Sequence, residues 1–204
     1  MTRESSSTLY TIGHSDHSAE KFGELLRRHE ITAIADVRSS PYSQRVPHFN
    51  RELLARELER LGIRYVFLGL ELGARRSEAA CYEDGRARYS LIAEAPLFQE
   101  GLNRVRGGIE KHRIALMCAE KDPLTCHRSI LICRNLKPDL PRIEHILDDG
   151  TLEPHEELES RLLDHSGLAE PDLFMTDEER LERAYDWQAE RIEYREARPL
   201  ESVT

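Results

Sequence analysis

The sequence predicts an α/β fold with a Rossmann-like, mostly parallel sheet of about five strands, helices on both faces, and an acidic helical C-terminal extension. Short apolar runs alternate with amphipathic stretches along the first 150 residues, which is the pattern of repeated strand–helix units. The charge then changes: residues 1–150 hold 23 Lys and Arg against 22 Asp and Glu, whereas residues 151–204 hold 6 against 16. We therefore expect a neutral α/β domain over residues 1–150 and an acidic extension over residues 151–204.

The first half of the chain supplies three predicted strands and two predicted helices. Each strand is an apolar or β-branched run, and the three lie at residues 9–12, 31–37 and 63–68. Ser18 is placed to cap the helix that follows the first strand, and Asn50 to cap a helix that ends near Leu61. Residues 39–49 hold two prolines and are predicted to form a loop.

The second half continues the alternation after a long connection. Residues 69–90 combine three glycines with many charges and are predicted to be a functional or mobile loop. A helix from Pro96 to about Lys111 follows, and Thr125 is expected to cap another from Cys126 to about Leu136. The last two predicted strands lie at residues 113–117 and 142–147.

The acidic extension is predicted to be helical. Residues 176–197 read as one helix, with Thr176 and Glu179 at the two positions of a capping box. Tyr185 and Trp187 are the aromatic residues that would anchor this helix on its own domain or on a second subunit. A homodimer formed through the extension is thus one expected partnership.

Composition excludes several classes of protein. No apolar run reaches the roughly 20 residues of a membrane helix, and the N-terminal residues have no apolar signal core. The four cysteines are too few for a disulfide scaffold and form no CxxC pair. We expect a cytoplasmic protein with reduced thiols and no membrane partner.

Polar and reactive residues follow the predicted strands, where open parallel sheets bind their ligands. The predicted catalytic residues are Cys126, His127, Cys118 and Glu120. The predicted substrate-binding or anion-binding residues are His14, Asp36, Arg38, Arg75 and Arg128. Arginine suits such a site because its guanidinium binds carboxylates and phosphates with two parallel hydrogen bonds, and 25 of the 29 basic residues are Arg.

The residue types suggest roles. Cys126 or Cys118 would act as nucleophile, and Glu120 or His127 would act as acid or base. Cys126 is predicted to lie at a helix start, where a thiol has a lowered pKa. Simpler alternatives remain: either cysteine is a core residue, and Asp36 forms a structural ion pair with Arg38.

We expect no metal, because the spacing of eight between Cys118 and Cys126 matches no common zinc finger. The residues indicate no particular cofactor.

These features predict an enzyme that acts on an anionic, phosphate-bearing substrate such as a nucleotide or the end of a nucleic acid. A neutral domain with an acidic extension lacks the broad basic face that duplex DNA requires. The alternative is a non-catalytic module that senses a nucleotide or binds a metal, with the extension reaching a partner.

Several motifs also resemble a known family. They are TIGHS at 11–15, DVRSSPYS at 36–43, Phe49, Tyr65 with LGLELGARR at 68–76, LMCAEKDPLTCHRS at 116–129, and HILDDG at 145–150. In order and spacing, residues 8–150 resemble the family called domain of unknown function DUF488. The resemblance implies a compact α/β domain without an established activity, whose shared site comprises Gly13, His14, Asp36, Arg38, Pro41, Gly69, Cys118, Glu120, Cys126, His127 and Arg128. The chain departs from the family at Leu72-Gly73-Ala74, where a double glycine is usual.

Overall fold

The computed structural model describes residues 8–196, which form an α/β fold around a mostly parallel sheet of six strands in the order β3-β2-β6-β1-β7-β8. The strands of this sheet are β1 Thr8–Gly13, β2 Ala33–Asp36, β3 Arg64–Phe67, β6 Ile114–Cys118, β7 Arg142–Ile146 and β8 Leu152–Pro154. A separate hairpin pairs β4 Tyr82–Glu83 with β5 Arg86–Ala87. The predicted class and the mostly parallel sheet are confirmed, with six strands instead of about five.

Helices connect the strands and cover the sheet. They are α1 Ala19–Arg28, α2 Arg51–Arg60, α3 Gly69–Leu72, α4 Tyr89–Glu94, α5 Pro96–Ile109, α6 Arg134–Leu136, α7 His155–Ser166 and α8 Asp177–Ile192. The helix-start signals at Ser18 and at Thr176 with Glu179 are both confirmed. Among the described residues, no helix has the length and apolar character needed to span a bilayer.

The register of the central strands brings their carboxyl ends together. In the parallel pairs, Gly13 of β1 lies opposite Cys118 of β6, and Asp36 of β2 lies opposite Met117 of β6. Side chains alternate between two cores: Leu9 packs with α5 and α8, and Tyr10 packs with α1 and α2. Every residue of β1 is buried, as expected for a strand covered on both faces.

Residues after position 150 contribute to the same sheet. Strand β8 pairs antiparallel with β7, and α7 and α8 pack against each other. Tyr185 of α8 is almost completely buried, so it anchors this helix on the chain's own core. The sixth strand and part of one core cluster, namely Leu158, Leu162, Ala184, Tyr185 and Ala189, thus come from the segment that its acidic charge distinguishes.

One local prediction is wrong, and another is confirmed only in part. Residues 69–90 are not one long loop, because α3, a 3₁₀ turn at Ala79–Cys81, the β4–β5 hairpin and the start of α4 divide them. The helix predicted from Cys126 to about Leu136 begins two residues later, as a π-helix at Arg128–Cys133 that continues as α6 to Leu136, and a 3₁₀ turn at Pro123–Thr125 precedes it. Cys126 itself is extended, with φ −126° and ψ 138°, so Thr125 does not cap a helix.

Candidate functional site

A cluster of four side chains lies where β6 ends. Cys118 is the last residue of β6, Glu120 follows it, and Cys126 and His127 lie between the 3₁₀ turn and the π-helix. One ligand-type atom from each of the four side chains falls within 4.8 Å of the others. A π-helical turn widens the helix start, and such turns are frequent at functional sites. We call these four residues the cysteine cluster.

Hydrogen bonds connect the members of the cysteine cluster. The Sγ atoms of Cys118 and Cys126 lie 2.8 and 3.1 Å from Oε2 of Glu120. The same sulfurs lie 3.6 and 3.9 Å from Nδ1 of His127. His127 Nε2 donates to the carbonyl of Val37 at 3.1 Å. Both cysteines and His127 are buried, whereas Glu120 is exposed, so the cluster has one open side.

Gly13 allows the end of β1 to pack closely against the segment that carries Glu120. A Cβ atom at position 13 would lie 2.0 Å from the carbonyl oxygen of Glu120, a distance that no side chain tolerates. The backbone N–H of His14 donates to the carbonyl of Cys118 at 2.9 Å. The end of β1 therefore packs directly against the segment that carries Glu120.

The surroundings shift the pKa values of the two thiols in opposite directions. Burial raises the pKa of Cys118 well above its ordinary value, and the neighbouring Cys126 raises it further. Burial also opposes ionisation of Cys126, but the Cys118 hydrogen bond, the Arg128 charge and His127 outweigh it and hold that pKa well below normal. Burial alone would lower the pKa of His127, yet its bond to Cys126 raises it. Of the two thiols, Cys126 ionises first.

Arg38 lies beside the cluster and is held by several partners. Asp36 accepts from its Nε at 2.9 Å and from Nη2 at 2.6 Å, and the Phe49 carbonyl accepts from Nη2. His14 Nε2 accepts from Nη1 at 3.1 Å, while His14 Nδ1 donates to the Ser15 carbonyl. Burial and the charge of Arg38 lower the pKa of His14 to about 4, which keeps this acceptor neutral. One N–H of Nη1 is left for a ligand.

Arg128 points into the protein interior. It has no exposed surface, and its Nη1 and Nη2 donate to the carbonyls of Glu120 and Lys121 at 2.6 and 3.2 Å. Its backbone N–H approaches Cys126 Sγ at 3.5 Å. Arg128 thus holds the loop between Cys118 and Cys126 in place.

A chain of buried hydrogen bonds begins at Arg128. Its Nε donates to Thr11 Oγ1 at 3.3 Å, and Thr11 Oγ1 lies 2.8 Å from His145 Nδ1. His145 Nε2 lies 2.9 Å from His155 Nδ1. The chain thus crosses from the cluster to α7 through the centre of the sheet.

The chain of hydrogen bonds ends at the ion pair between Lys137 and Glu159, which fixes the direction in which each bond donates. His155 Nε2 lies 2.9 Å from the hydroxyl of Tyr185, which donates to Glu159 at 2.9 Å, and Lys137 Nζ also donates to Glu159. Because the carboxylate can only accept, Tyr185 accepts from His155, His155 from His145, and His145 from Thr11. We call Thr11, His145, His155, Tyr185 and Glu159 the buried network. It joins α7 and α8 to Arg128.

A cavity of about 350 Å³ opens beside the cluster. Its lining includes Cys118, Glu120 and His127 of the cluster together with Arg38 and Arg75. Arg75 is exposed, and its guanidinium lies 4.7 Å from the centre of the Tyr194 ring. No ion pair of Arg75 occurs among the described residues, so its charge is available to a ligand.

A second cavity of about 350 Å³ adjoins the first. Both are lined by Arg38, Ser40, Tyr42 and Ala119, so they form two lobes of one cleft. The residues that only the second lobe presents are His14, Ser15, Asp16, Ser43, Arg45 and Val46. Tyr42 has 55% of its surface exposed, which leaves a ring face open to a ligand.

The structure brings most of the predicted site residues together. Cys118, Glu120, Cys126 and His127 form the cluster, and Arg38 and Arg75 line the same cavity; His14 lines the second lobe. Asp36 is fully buried and holds Arg38, and Arg128 lies behind the cluster; neither lines these two lobes.

Sequence reasoning missed several other groups. The carbonyl of Val37, the network residues His155 and Glu159 on α7, and the cavity residue Tyr194 carry no local motif. The run of hydroxyl residues after Arg38 was the one signal for Ser40 and Tyr42.

This arrangement supports two kinds of chemistry. A buried thiol pair with an imidazole and a carboxylate can supply a thiolate and move a proton, or it can bind a soft metal ion. In both cases the adjoining cleft offers arginine donors to an anion.

Comparison with known proteins identifies a family that matches this chain. The family model described as domain of unknown function DUF488 matches residues 18–134. That segment includes the whole cysteine cluster, Asp36, Arg38 and Arg75 but not β7, β8, α7 or α8. No curated protein and no solved structure matches the chain.

Proposed function

Since the chain belongs to the DUF488 family, whose description assigns no reaction, we propose its function from the site itself: an enzyme that converts a small phosphate-bearing substrate. The substrate binds in the two-lobed cleft and reacts at the cysteine cluster. The observation that carries this proposal is that Cys118 and Glu120 line the same cavity as Arg38 and Arg75.

The phosphate binds between the two arginines. Arg75 has an exposed guanidinium without an ion-pair partner among the described residues, and Arg38 has one N–H free. The Ser39 hydroxyl accepts from the backbone of Arg75 at 2.9 Å and keeps its own O–H to donate. Because Asp36 and Phe49 hold Arg38 rigidly, little ordering entropy is lost when the anion binds.

The remainder of the substrate occupies the second lobe. That lobe is about as large as the first, and the open ring face of Tyr42 lies between them. An aromatic face together with donors from Ser40 and Arg45 suits a nucleoside-sized group. A nucleotide or the terminal nucleotide of a nucleic acid is therefore the preferred substrate class.

The reacting bond lies on the open side of the cluster. Cys118 lines the cavity and Cys126 does not, so Cys118 with Glu120 meets the substrate. Glu120 is exposed and lines the cavity, which suits a group that exchanges a proton with the substrate. The Val37 carbonyl orients His127, which also lines this cavity, and the backbone N–H of Arg128 approaches Cys126 behind them.

Binding to the cleft is tested with Arg75→Ala, and Arg56→Ala serves as the matched control because Arg56 is exposed on α2 and lines neither lobe. Inorganic phosphate, nucleoside monophosphates and a short single-stranded DNA are titrated by calorimetry. A lost charge-assisted hydrogen bond at an exposed site should weaken binding about tenfold. Equal affinity in the two variants, or no binding of any probe, would overturn the proposed site.

Conversion is tested on whichever probe binds. The protein and probe are incubated and the mixture is examined by mass spectrometry. Wild type should change the mass of the probe, and Glu120→Gln should bind the probe without changing it. A probe that binds wild type and is never converted would favour the non-catalytic sensor.

A further inference from the structure

We propose that the cysteine cluster binds one divalent metal ion of the zinc type through Sγ of Cys118, Oε2 of Glu120, Sγ of Cys126 and Nδ1 of His127. The inference rests on the proposed function and specifies its reactive centre. In this reading the two thiols are ligands and not nucleophiles.

The sulfur–nitrogen distances fit a tetrahedral ion. Zinc lies about 2.3 Å from sulfur and 2.0–2.1 Å from nitrogen, so a sulfur and a nitrogen on one ion are about 3.6 Å apart. The two sulfur–Nδ1 distances are 3.6 and 3.9 Å. The distances from the sulfurs to Glu120 are shorter, at 2.8 and 3.1 Å, and this exposed side chain has room to move outward.

The orientation of His127 is a second, independent observation. Nε2 lies 3.1 Å from the carbonyl of Val37, and a carbonyl can only accept, so Nε2 keeps its proton. Deprotonation of the ring therefore frees Nδ1, which faces both sulfurs. Metal-binding histidines are fixed in this way, by donation of the other ring N–H to a carbonyl or carboxylate.

Charge also favours a cation at this point. Two thiols and a carboxylate converge in a region where Cys118 and Cys126 are 3% and 1% exposed. The guanidinium of Arg128 gives its Nη1 and Nη2 donors to the carbonyls of Glu120 and Lys121, so these donors do not bond the sulfurs. A divalent ion would neutralise two thiolates. The backbone N–H of Arg128 also points at the sulfur of Cys126, as a donor to a thiolate would.

The open side distinguishes this centre from a structural zinc site. Three ligands are buried, whereas Glu120 is exposed and lines the cavity. Catalytic zinc sites have three protein ligands and one exchangeable position. We infer that Glu120 holds that position and that an oxygen of the substrate phosphate takes its place.

The test uses the full chain, purified without a tag or chelator under reducing conditions. Metal content is measured by mass spectrometry, and Zn²⁺ affinity is measured against a competing dye. We expect one equivalent of Zn²⁺, with Cys126→Ala weakening affinity by more than the roughly 10- to 100-fold that loss of a ligand's hydrogen-bond partner costs. The matched control is Cys133→Ala, a buried cysteine outside the cluster, which should retain the metal.

A second measurement, with Co²⁺ in place of Zn²⁺, does not depend on the folding of Cys126→Ala. The wild-type Co²⁺ complex should show thiolate charge-transfer absorption, which Glu120→Gln keeps at full strength and Cys118→Ala halves. No thiolate band, or loss of metal to the same degree in Cys133→Ala, would overturn the inference. A metal-free protein that still binds and converts its probe would refute the metal alone. A zinc protein that binds no probe would refute the proposed function and the displacement of Glu120, and would leave the metal site standing.

Discussion

Acidification should destabilise this fold through two buried histidines of the network that joins α7 and α8 to the site. In His145 and His155 every ring nitrogen has a partner, and Nδ1 of each accepts a hydrogen bond, so only the neutral rings fit. Burial and the charge of Lys137 lower the pKa of His155 to about 4. Burial and the neighbouring His155 hold the pKa of His145 well below its ordinary value.

The sign follows from which state binds the proton. A histidine in the unfolded chain has a pKa of about 6.5. Between about pH 6.5 and pH 4, the unfolded chain therefore binds a proton that His155 in the folded protein does not bind. The stabilisation is complete above that window and is lost as the pH falls through it. From about pH 7 to pH 5, His155 alone should remove about 2 kcal/mol of unfolding free energy. His145 adds to the loss in the same direction.

The effect is measured by urea unfolding, followed by circular dichroism, across this pH range. In His155→Gln the titrating group is gone, so the loss between about pH 7 and pH 5 should be about 2 kcal/mol smaller than in wild type. His14 also has a lowered pKa, but it contributes equally to both proteins and cancels in the difference. The control is His112→Gln, which lies outside the network. Parallel curves for wild type and His155→Gln would refute the reasoning.

Two further predictions concern groups that support the site. Tyr185→Phe leaves the Nε2 proton of His155 without its acceptor and should cost about 1–3 kcal/mol in urea unfolding, whereas Tyr42→Phe, at an exposed ring, should cost far less. Gly13→Ala would force a Cβ against the Glu120 carbonyl and should cost about 1–3 kcal/mol or more by the same assay, with weaker Zn²⁺ binding. Gly107→Ala is its control, since nothing lies within 4 Å of a Cβ there, and an equal loss in the two glycine variants would contradict the packing argument.

Local patterns were sufficient for much of the fold. Apolar runs separated by helix-start signals predicted the strands and the caps at Ser18 and Thr176, because strand burial and capping depend on residues close in sequence. They did not predict the short elements between Gly69 and Ala87 or the antiparallel strand β8, because two- and three-residue strands form only where a partner is already placed.

The sequence by itself determined which chemistry collects at one edge of the sheet. Parallel strands end at the same side, so Cys118, Glu120, Cys126, His127 and Arg38 could be expected near each other before any contact was known. That rule depends on strand direction, which the strand–helix alternation already implies.

Only the tertiary structure decided what each of these residues faces. Arg38 and Arg128 look alike in the sequence, yet one keeps an N–H for a ligand and the other is enclosed by carbonyls of its own loop. The Val37 carbonyl that orients His127 is 90 positions away from it, and the path from Arg128 to Tyr185 includes links across 117 and 134 positions. Such pairings arise from the packing of whole elements, because hydrogen-bond geometry is set by distance in space and not by distance along the chain.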